Sequence, residues 1–335
     1  MNKNVFLVDD SPFMRKIMVD VLEKIDGLNI IGTARNGRDA LKQLMVLKPD
    51  LVLMDVQMPG LNGLDTLELI KEKYDFPVMM MSANSNQGMT IEALERGAID
   101  FIEKPKDLIN HSDTFRIEVT EKIKAVEEKS TAPKEKQPIK QSMPHNSPIK
   151  RPDALVIGAS TGGPKALLAI IRQLPKKVSI PIFIVQHMPA GFTASFAERL
   201  DSETTAKVVE AKAGMPIKKG IIYVAPGDFH MAIAKNEVIL NEGAKQHGVR
   251  PAVDVLFESA AVRYGTNLLG IIFTGMGQDG TKGSICIKEN GGSVWVQDEE
   301  TSVVYGMPGN AVKKGAVDQI ASLSDLSEMI NGIVG

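Results

Sequence analysis

Short apolar runs alternate with amphipathic segments twice along the chain of 335 residues. Parallel strands need a long connection between them, usually a helix, so this alternation predicts parallel sheets with helices on both faces. The strand-like runs of the first series are NVFLVD, LNIIGTA, DLVLMD, FPVMMMS and AIDFIE. Those of the second series are DALVIGAS, IPIFIVQH, LLGIIFTG and GSVWVQD, with a hairpin over residues 221–240. The pattern therefore predicts an α/β protein with two domains.

A segment poor in apolar residues separates the two series. Residues 129–152 read KSTAPKEKQPIKQSMPHNSPIKRP and contain five prolines, six basic residues and one acid. Such a segment buries too little apolar surface to offset the entropy of ordering it, so it predicts a semi-extended linker. We expect a (βα)5 domain with a parallel sheet over residues 1–125 and a linker over 126–152. A doubly wound α/β domain with a mostly parallel sheet and a hairpin is expected over 153–335.

Composition argues against several classes of protein. The formal net charge is −2, which provides no global basic field for nucleic acid or anionic lipid. The single cysteine, Cys286, rules out an internal disulfide and a cysteine-based zinc site. The N-terminal stretch MNKNVFLVDD lacks the apolar core of a signal peptide, and no apolar run is long enough to span a bilayer. We expect a cytoplasmic protein that neither binds nucleic acid nor inserts into a membrane.

Polar residues follow the strands of the first domain at the edge where those strands end, and sites in open α/β sheets form at this edge. They are Asp9 and Asp10 after the first strand, Asp55 on the third, Ser82 on the fourth and Lys104 after the fifth. Three carboxylates together repel one another unless a cation neutralises them, and Mg²⁺ binds carboxylate and phosphate oxygens. Each acid alone is explained equally well as a helix cap. The whole group, with a hydroxyl and a lysine, favours an aspartate that accepts a phosphoryl group.

The stretch VIGASTGG, residues 156–163, begins the second domain and allows two interpretations. A strand that ends in glycines and opens a helix can hold a phosphate on backbone N–H groups. The same residues form a G-x-S-x-G turn, which can present Ser160 as a nucleophile. The stretch lacks the full G-x-G-x-x-G spacing and the Lys-Ser/Thr pair of a P-loop, which weakens the phosphate interpretation.

A serine nucleophile needs a base and an acid that orients the base, and both residue types lie at other strand ends. His187 directly follows the strand IPIFIVQ and is the candidate base. Structural roles are expected for His230 in the hairpin and His247 in a polar loop, with a position lining the cleft as the alternative for either. Asp279 lies in the glycine-rich loop after LLGIIFTG, although a plain helix cap is the alternative for that residue alone. The order Ser, His, Asp differs from that of ordinary α/β-hydrolases, so their fold is not assumed.

An acyl-transfer site also needs backbone donors for the oxyanion that forms next to Ser160. The N–H of Thr161, directly after the serine, is one candidate. Met276 is the second, because the flanking Gly275 and Gly277 allow close approach of the backbone.

The first domain resembles the receiver domain of bacterial response regulators over roughly residues 1–125. The resemblance rests on LVDDSPFMR, DLVLMDVQMPGLNGLD, MMMSA and IEKP, and the D-x-x-M-P-x-x-[ND]-G signature is specific. It implies Asp55 as the phosphoacceptor and a histidine kinase as the phosphoryl donor. The other implied roles are Mg²⁺ binding by Asp9, Asp10, Asp55 and the backbone carbonyl of Gln57, phosphoryl sensing by Ser82 and Lys104, and an aromatic switch at Phe101.

The second domain resembles the catalytic domain of the chemotaxis protein-glutamate methylesterases over residues 154–315. The matching stretches are VIGASTGGPKAL, VQHMPAGFTASFAERL, YVAPGDFHM, HGVRPAVDVLFESAA, FTGMGQDGTKG and VVYGMPGNA. The resemblance implies hydrolysis of glutamate methyl esters and deamidation of certain glutamines on chemoreceptors, with no cofactor for the esterase step. The implied roles are nucleophile for Ser160, base for His187, orienting acid for Asp279, and oxyanion hole for Thr161 and Met276.

A receiver joined to a catalytic domain predicts an esterase that phosphorylation of Asp55 activates. Two alternatives remain open at this point. One is a phosphorylation-gated esterase for another protein or a small ester, and the other is a non-catalytic adaptor whose second domain only binds partners. The complete Ser-His-Asp set argues against the adaptor, and loss of generic ester hydrolysis in Ser160→Ala separates enzyme from adaptor.

Overall fold

A computed structural model of the chain describes residues 3–104, 115–124, 126 and 151–335, and at residue 84 the backbone alone. The chain divides into two compact units, Met1–Glu127 and Glu128–Gly335. The predicted linker lies outside the described residues except at 126, 151 and 152, so the domain boundaries stay predictions. The side chain of Arg151 donates a hydrogen bond to the carbonyl of Gly335, 3.2 Å away, within the second unit.

The first unit is a five-stranded parallel sheet with the strand order β2-β1-β3-β4-β5. Its strands are β1 (Lys3–Val8), β2 (Leu28–Ala34), β3 (Leu51–Asp55), β4 (Val78–Ser82) and β5 (Asp100–Glu103). Its helices are α1 (Pro12–Leu22), α2 (Gly37–Leu44), α3 (Gly63–Lys73), α4 (Gln87–Glu95) and α5 (115–124). The five predicted strands and the parallel sheet are confirmed.

The strands form as predicted because nearly continuous apolar runs are buried on both faces of the sheet. Every residue of β3 and of β4 is buried. The chain passes from β1 to β2 on one side and then crosses to β3 on the other. This reversal opens a crevice at the carboxyl ends of β1 and β3, where α/β sheets bind ligands.

The second unit contains a seven-stranded sheet with the order β14-β13-β12-β6-β7-β9-β8, and every pairing in it is parallel. Its strands are β6 (Ala154–Ala159), β7 (Ile182–Gln186), β8 (Lys207–Glu210), β9 (Ile221–Val224), β12 (Leu268–Ile272), β13 (Ser293–Gln297) and β14 (Gln319–Ala321). Its helices are α6 (Gly163–Arg172), α7 (Phe192–Ser202), α8 (Val253–Tyr264), α9 (Thr281–Glu289), α10 (Gly306–Lys313) and α11 (Leu323–Val334). The direction of winding reverses between β6 and β12, which places a second crevice at their carboxyl ends.

The hairpin is shorter than the predicted span of residues 221–240. It consists of β10 (His230–Ala234) and β11 (Glu237–Asn241), which pair antiparallel. Strand β9 instead lies in the main sheet between β7 and β8. Strands β8 and β14 were not predicted, because they are four and three residues long and only one of those seven residues is buried. In the described ranges, no helix is long and apolar enough to cross a membrane.

Candidate active site and phosphoacceptor site

The carboxyl edge of the first sheet brings together the acids and the lysine predicted from the sequence. Asp9 follows β1 and Asp55 ends β3, so they lie on either side of the reversal in strand order. The Lys104 ammonium lies 2.6 Å from Oδ2 of Asp9 and 2.6 Å from Oδ2 of Asp55. Asp10 is exposed, and carboxylate oxygens of Asp9, Asp10 and Asp55 lie within 4.8 Å of one another.

Three carboxylates lie together and Lys104 pairs with two of them, so the site is rich in oxygen and has excess negative charge. Burial raises the pKa of Asp55, the charge and hydrogen bond of Lys104 oppose that rise, and the charge of Asp9 adds to it. The backbone N–H of Gln57 donates to Oδ1 of Asp55 at 3.3 Å, so the chain turns tightly here. Hard divalent cations prefer such oxygen ligands, and the donor set therefore fits Mg²⁺.

The other two positions expected to respond to a phosphoryl group are both buried. The Thr90 hydroxyl, on α4, donates to Oγ of Ser82 at 2.5 Å, and the Ser82 hydroxyl donates to the carbonyl of Ala83 at 3.2 Å. The ring of Phe101 is 2% exposed, and the Lys122 ammonium lies 5.1 Å from its centroid. Ser82 is thus hydrogen bonded to α4.

The predicted nucleophile lies in the turn between β6 and α6, beside the reversal in the second sheet. Ser160 follows β6 directly, and its backbone N–H donates to the carbonyl of Thr274, beyond β12, at 3.0 Å. In this turn the residue with left-handed backbone conformation is Gly162 (φ 79°). In α/β-hydrolases, by contrast, the nucleophilic serine itself sits in the strained part of the turn. A Cβ on Gly162 would lie 2.5 Å from the Val303 side chain. Gly162, two residues after the serine, is therefore required both for its backbone conformation and because a side chain would not fit.

The predicted base and acid form a hydrogen-bonded pair. Nε2 of His187 lies 2.8 Å from Oδ2 of Asp279, and the two side chains are 11% and 2% exposed. An ionised carboxylate only accepts, so Nε2 carries the proton and Nδ1 is the nitrogen left to receive one. Among the described residues, no hydrogen bond joins the Ser160 hydroxyl to His187. Such catalytic hydrogen bonds often tighten only when substrate binds.

The Asp279 carboxylate is held by backbone donors at the N-terminus of α8. Its oxygens accept from the N–H groups of Val253 (2.6 Å), Asp254 (2.9 Å) and Gly280 (2.8 Å), as well as from His187. Burial by itself raises the pKa of Asp279, but the hydrogen bond and charge of His187 and the two α8 donors outweigh it, so the pKa is lowered. The alternative of a helix cap is therefore partly correct, but the capped helix is α8, which precedes Asp279 in the chain.

The two loops predicted to form the oxyanion hole contact each other. A Cβ on Gly275 would lie 2.9 Å from Cβ of Ser160, so the loop after β12 packs directly against the serine. The Thr274 hydroxyl donates to the carbonyl of Thr161 at 2.8 Å and accepts from the N–H of Val304 at 2.9 Å. Thr274 thus fixes the backbone of Thr161 relative to the Gly275–Gly277 loop, and the donor roles of Thr161 and Met276 remain predictions.

Sequence reasoning missed Gln186, the last residue of β7. Its buried side-chain amide donates to the carbonyl of Ser160 at 3.0 Å and to the carbonyl of His187 at 3.2 Å. Because both partners are acceptors, the amide nitrogen must face them. Gln186 therefore ties the end of β6 to the end of β7. A polar residue on an otherwise apolar buried strand is the signal that marks it in the sequence.

Three further residues lie around the start of α8: two histidines with predicted structural roles, and one acid that was not predicted from the sequence. His230, for which a structural role was predicted, is buried and accepts from the N–H of Ala252 at 3.2 Å, next to the start of α8. His247 lies 2.8 Å from Asp254, which sits one residue inside that helix. Asp254 was not singled out at all, because a lone acid in the first turn of a helix is common.

Replacing Gln186 by leucine is expected to lower kcat about tenfold with little change in KM, because the serine and histidine backbones lose their shared donor. The His187 carbonyl is left without that donor, so the free energy of unfolding is expected to fall by about 1–2 kcal/mol, and the melting temperature falls with it. Steady-state kinetics and thermal melting measure both effects. Gln173→Leu, at the exposed C-terminal end of α6, is the matched control. Equal kcat values for the two variants would contradict a positioning role.

Each of the two units matches a known protein family. A family model described as CheB methylesterase matches residues 155–330. A second, described as response regulator receiver domain, matches residues 5–113.

Relatives match along nearly the whole chain. A protein-glutamate methylesterase/protein-glutamine glutaminase of Clostridium acetobutylicum is 41% identical over 343 residues, covering 98% of this chain and 97% of the relative. One of the same name from Thermotoga maritima is 40% identical over 339 residues, covering 98% of each. The crystal structure of the Thermotoga maritima CheB methylesterase catalytic domain is 44% identical with a TM-score of 0.53, covering 55% of this chain and 99% of that one.

Proposed function

The chain belongs to the CheB methylesterase family of hydrolases and carries a response regulator receiver domain, and we propose that it demethylates glutamate side chains of chemoreceptors. We also propose that phosphorylation of Asp55 activates it, that a histidine kinase donates the phosphoryl group, and that certain receptor glutamines are deamidated at the same site. Both named activities of the relatives fit one chemistry, since ester and amide hydrolysis proceed through the same acyl intermediate.

The receiver half of the proposal rests on the carboxylate group around Asp55. Asp9, Asp10 and Asp55, with the backbone carbonyl of Gln57, would hold Mg²⁺, which neutralises phosphoryl and carboxylate charge when bound. Lys104, already 2.6 Å from Asp55, is positioned to contact the transferred phosphoryl group. Ser82 would exchange its hydrogen bond with Thr90 for one to that group. Because Thr90 lies on α4, the loss of this bond would allow α4 to shift on phosphorylation.

In the esterase half, Ser160 attacks the ester carbonyl while Nδ1 of His187 takes its proton. The negative charge on the carbonyl oxygen is stabilised by the N–H groups of Thr161 and Met276. The C–O bond to methanol then breaks, and methanol leaves with the proton from His187. Asp279 keeps the imidazole in the tautomer that leaves Nδ1 free, and it stabilises the imidazolium.

Water completes the reaction by the reverse steps. His187 takes a proton from water as the oxygen attacks the acyl-enzyme, and it returns that proton to Ser160 as the ester bond breaks. The products are methanol and a glutamate carboxylate. With glutamine as substrate, ammonia leaves in place of methanol and the same carboxylate forms. All of these steps use side chains and backbone donors of the second unit.

The observation that carries this proposal is the pairing of His187 with Asp279 at one edge of the sheet that also presents Ser160. The nucleophile, base and acid follow three neighbouring strands, β6, β7 and β12, at the reversal in strand order. An adaptor that only bound partners would have no need of a buried aspartate whose four hydrogen bonds include one to a histidine.

Methanol release from methylated receptor membranes tests the proposal. We expect the full-length protein to release methanol, and a small phosphodonor with Mg²⁺ to raise the rate by roughly 5–150-fold, the usual range of coupling between sites. Asp55→Asn is expected to keep the basal rate and lose the increase, because an amide cannot accept the phosphoryl group. Glu68→Gln, an exposed acid on α3, is the matched control. No methanol from the wild type under any condition would falsify the receptor-ester assignment.

A further inference from the structure

A second histidine lies beside the proposed catalytic pair, in a tight turn before α8. His247 and Gly248 are the central residues of this turn, and the backbones of Gln246 and Val249 exchange hydrogen bonds of 3.1 and 2.9 Å across it. Both central residues have positive φ, 51° and 77°, as in turns that Asn, Asp and Gly fill most often. The turn by itself therefore favours asparagine over histidine at position 247.

The His247 side chain faces two buried carboxylates. Its Nε2 lies 2.8 Å from Oδ2 of Asp254 and 3.9 Å from Oδ1 of Asp279. The other oxygen of Asp254 accepts from the N–H of Gly283, on α9, at 2.7 Å. The imidazole is 30% exposed, so it can exchange protons with solvent, whereas Asp254 is 1% exposed.

The two carboxylates are coupled to each other. The backbone N–H of Asp254 donates to Asp279, and both side chains lie at the N-terminus of α8. The pKa of Asp254 is raised, mainly because the side chain is buried and also because of the charge of Asp279. The N–H of Gly283 and the contact with His247 partly oppose this rise. A protonated His247 thus offsets one of two adjacent negative charges, and a neutral His247 leaves both.

Other charged groups near the pair are already engaged. Lys282 on α9 forms an ion pair of 2.8 Å with Glu258 on α8, next to Asp254. Arg250, after the turn, donates to the carbonyls of Glu242 and Gly243. His187 occupies the opposite side of Asp279. Among the described residues, His247 is the titratable side chain that lies within 4 Å of both carboxylates.

We propose that His247 and Asp254 are positioning residues of the hydrolytic site, and that the charge on this pair sets the pH at which His187 becomes an active base. The proposal rests on the proposed function, in which Asp279 stabilises the His187 imidazolium. A negative Asp254 favours that imidazolium through Asp279, and a positive His247 disfavours it. The two residues therefore act in opposite directions.

Because the two residues act in opposite directions, shifts of the pH profile distinguish an effect of charge from a loss of packing. His247→Asn keeps a residue suited to the left-handed turn and removes the cation, so the acidic limb of the kcat/KM profile is expected to move to higher pH. Asp254→Asn keeps the shape and removes the anion, so the limb moves to lower pH. Each shift is expected to be about half a pH unit, and the double variant is expected to lie near the wild type.

The profiles are measured on full-length protein with a small chromogenic ester, after subtraction of the Ser160→Ala rate. Lys245→Gln is the matched control, because it removes an exposed cation two residues from His247 and is expected to move nothing. Shifts in the same direction, or none, would overturn the proposal even if methanol release succeeds.

A second measurement needs no activity. The chain has five histidines, so NMR with labelled imidazole carbons can follow each one through a pH titration. We expect the His187 signal to show a second inflection at the midpoint of His247, and to lose it in His247→Asn. If the wild type hydrolyses no ester, the proposed function fails while this titration still decides the coupling. Independent titration of the two rings would overturn the coupling.

Discussion

Replacing Ser160 by alanine is expected to lower the rate of methyl-ester hydrolysis by at least about 10⁴-fold. The acyl-enzyme cannot form without the hydroxyl, and the oxyanion donors and substrate binding alone leave only a small residual rate. Methanol release with the phosphodonor present measures the loss. The same variant is expected to lose glutamine deamidation to the same degree, because both reactions use one acyl intermediate.

The fold should tolerate this change. Within the described ranges the Ser160 hydroxyl makes no hydrogen bond to His187, and alanine keeps the Cβ that packs against Gly275. The melting temperature is therefore expected to stay close to that of the wild type. Ser202→Ala, at the end of α7 farthest from the carboxyl edge, is the matched control and should keep full activity. Substantial activity in Ser160→Ala would mean that another residue is the nucleophile.

The sequence predicted the positions of the site residues because strand ends are readable from apolar runs. Ser160 and His187 each follow a continuous buried strand directly, and parallel strands bring such positions to one edge. The same rule placed Asp9 and Asp55 together at the edge of the first sheet. The predicted set of elements was correct wherever a strand is long and fully buried.

The residues that hold the site in place were not predictable in the same way. Gln186 and Thr274 act through backbone carbonyls of residues in other loops, and those contacts depend on the tertiary fold. Asp254 lies 25 residues before Asp279 in sequence, and only the packing of α8 against the loop after β12 brings them together. Strand β9 was assigned to the hairpin because local pattern does not say which sheet a short strand joins.

Replacing Asp279 by asparagine is expected to lower kcat by roughly 10³–10⁴-fold, because the change reverses the hydrogen bond that fixes the His187 tautomer. In the wild type the carboxylate accepts from four N–H groups. If the new NH₂ group faces His187, Nε2 must become the acceptor and Nδ1 then carries a proton, so it cannot take one from Ser160. If the NH₂ group faces away, it meets the backbone donors of Asp254 and Gly280 instead.

Both orientations also cost stability, which distinguishes this variant from Ser160→Ala. One amide hydrogen must oppose backbone donors, so the free energy of unfolding is expected to fall by about 1–3 kcal/mol.

The pKa of Asp279 is lowered in the folded chain, so its charge stabilises the fold above its ordinary pKa, and that contribution is lost as the pH falls through the lower, folded value. The gap in melting temperature between wild type and variant should therefore narrow below about pH 4. Asn290→Asp, at the exposed end of α9, controls for an Asn–Asp exchange elsewhere on the same unit. A gap that stays constant down to about pH 2 would mean that Asp279 is not held as a charged group, and its role toward His187 would have to be reassigned.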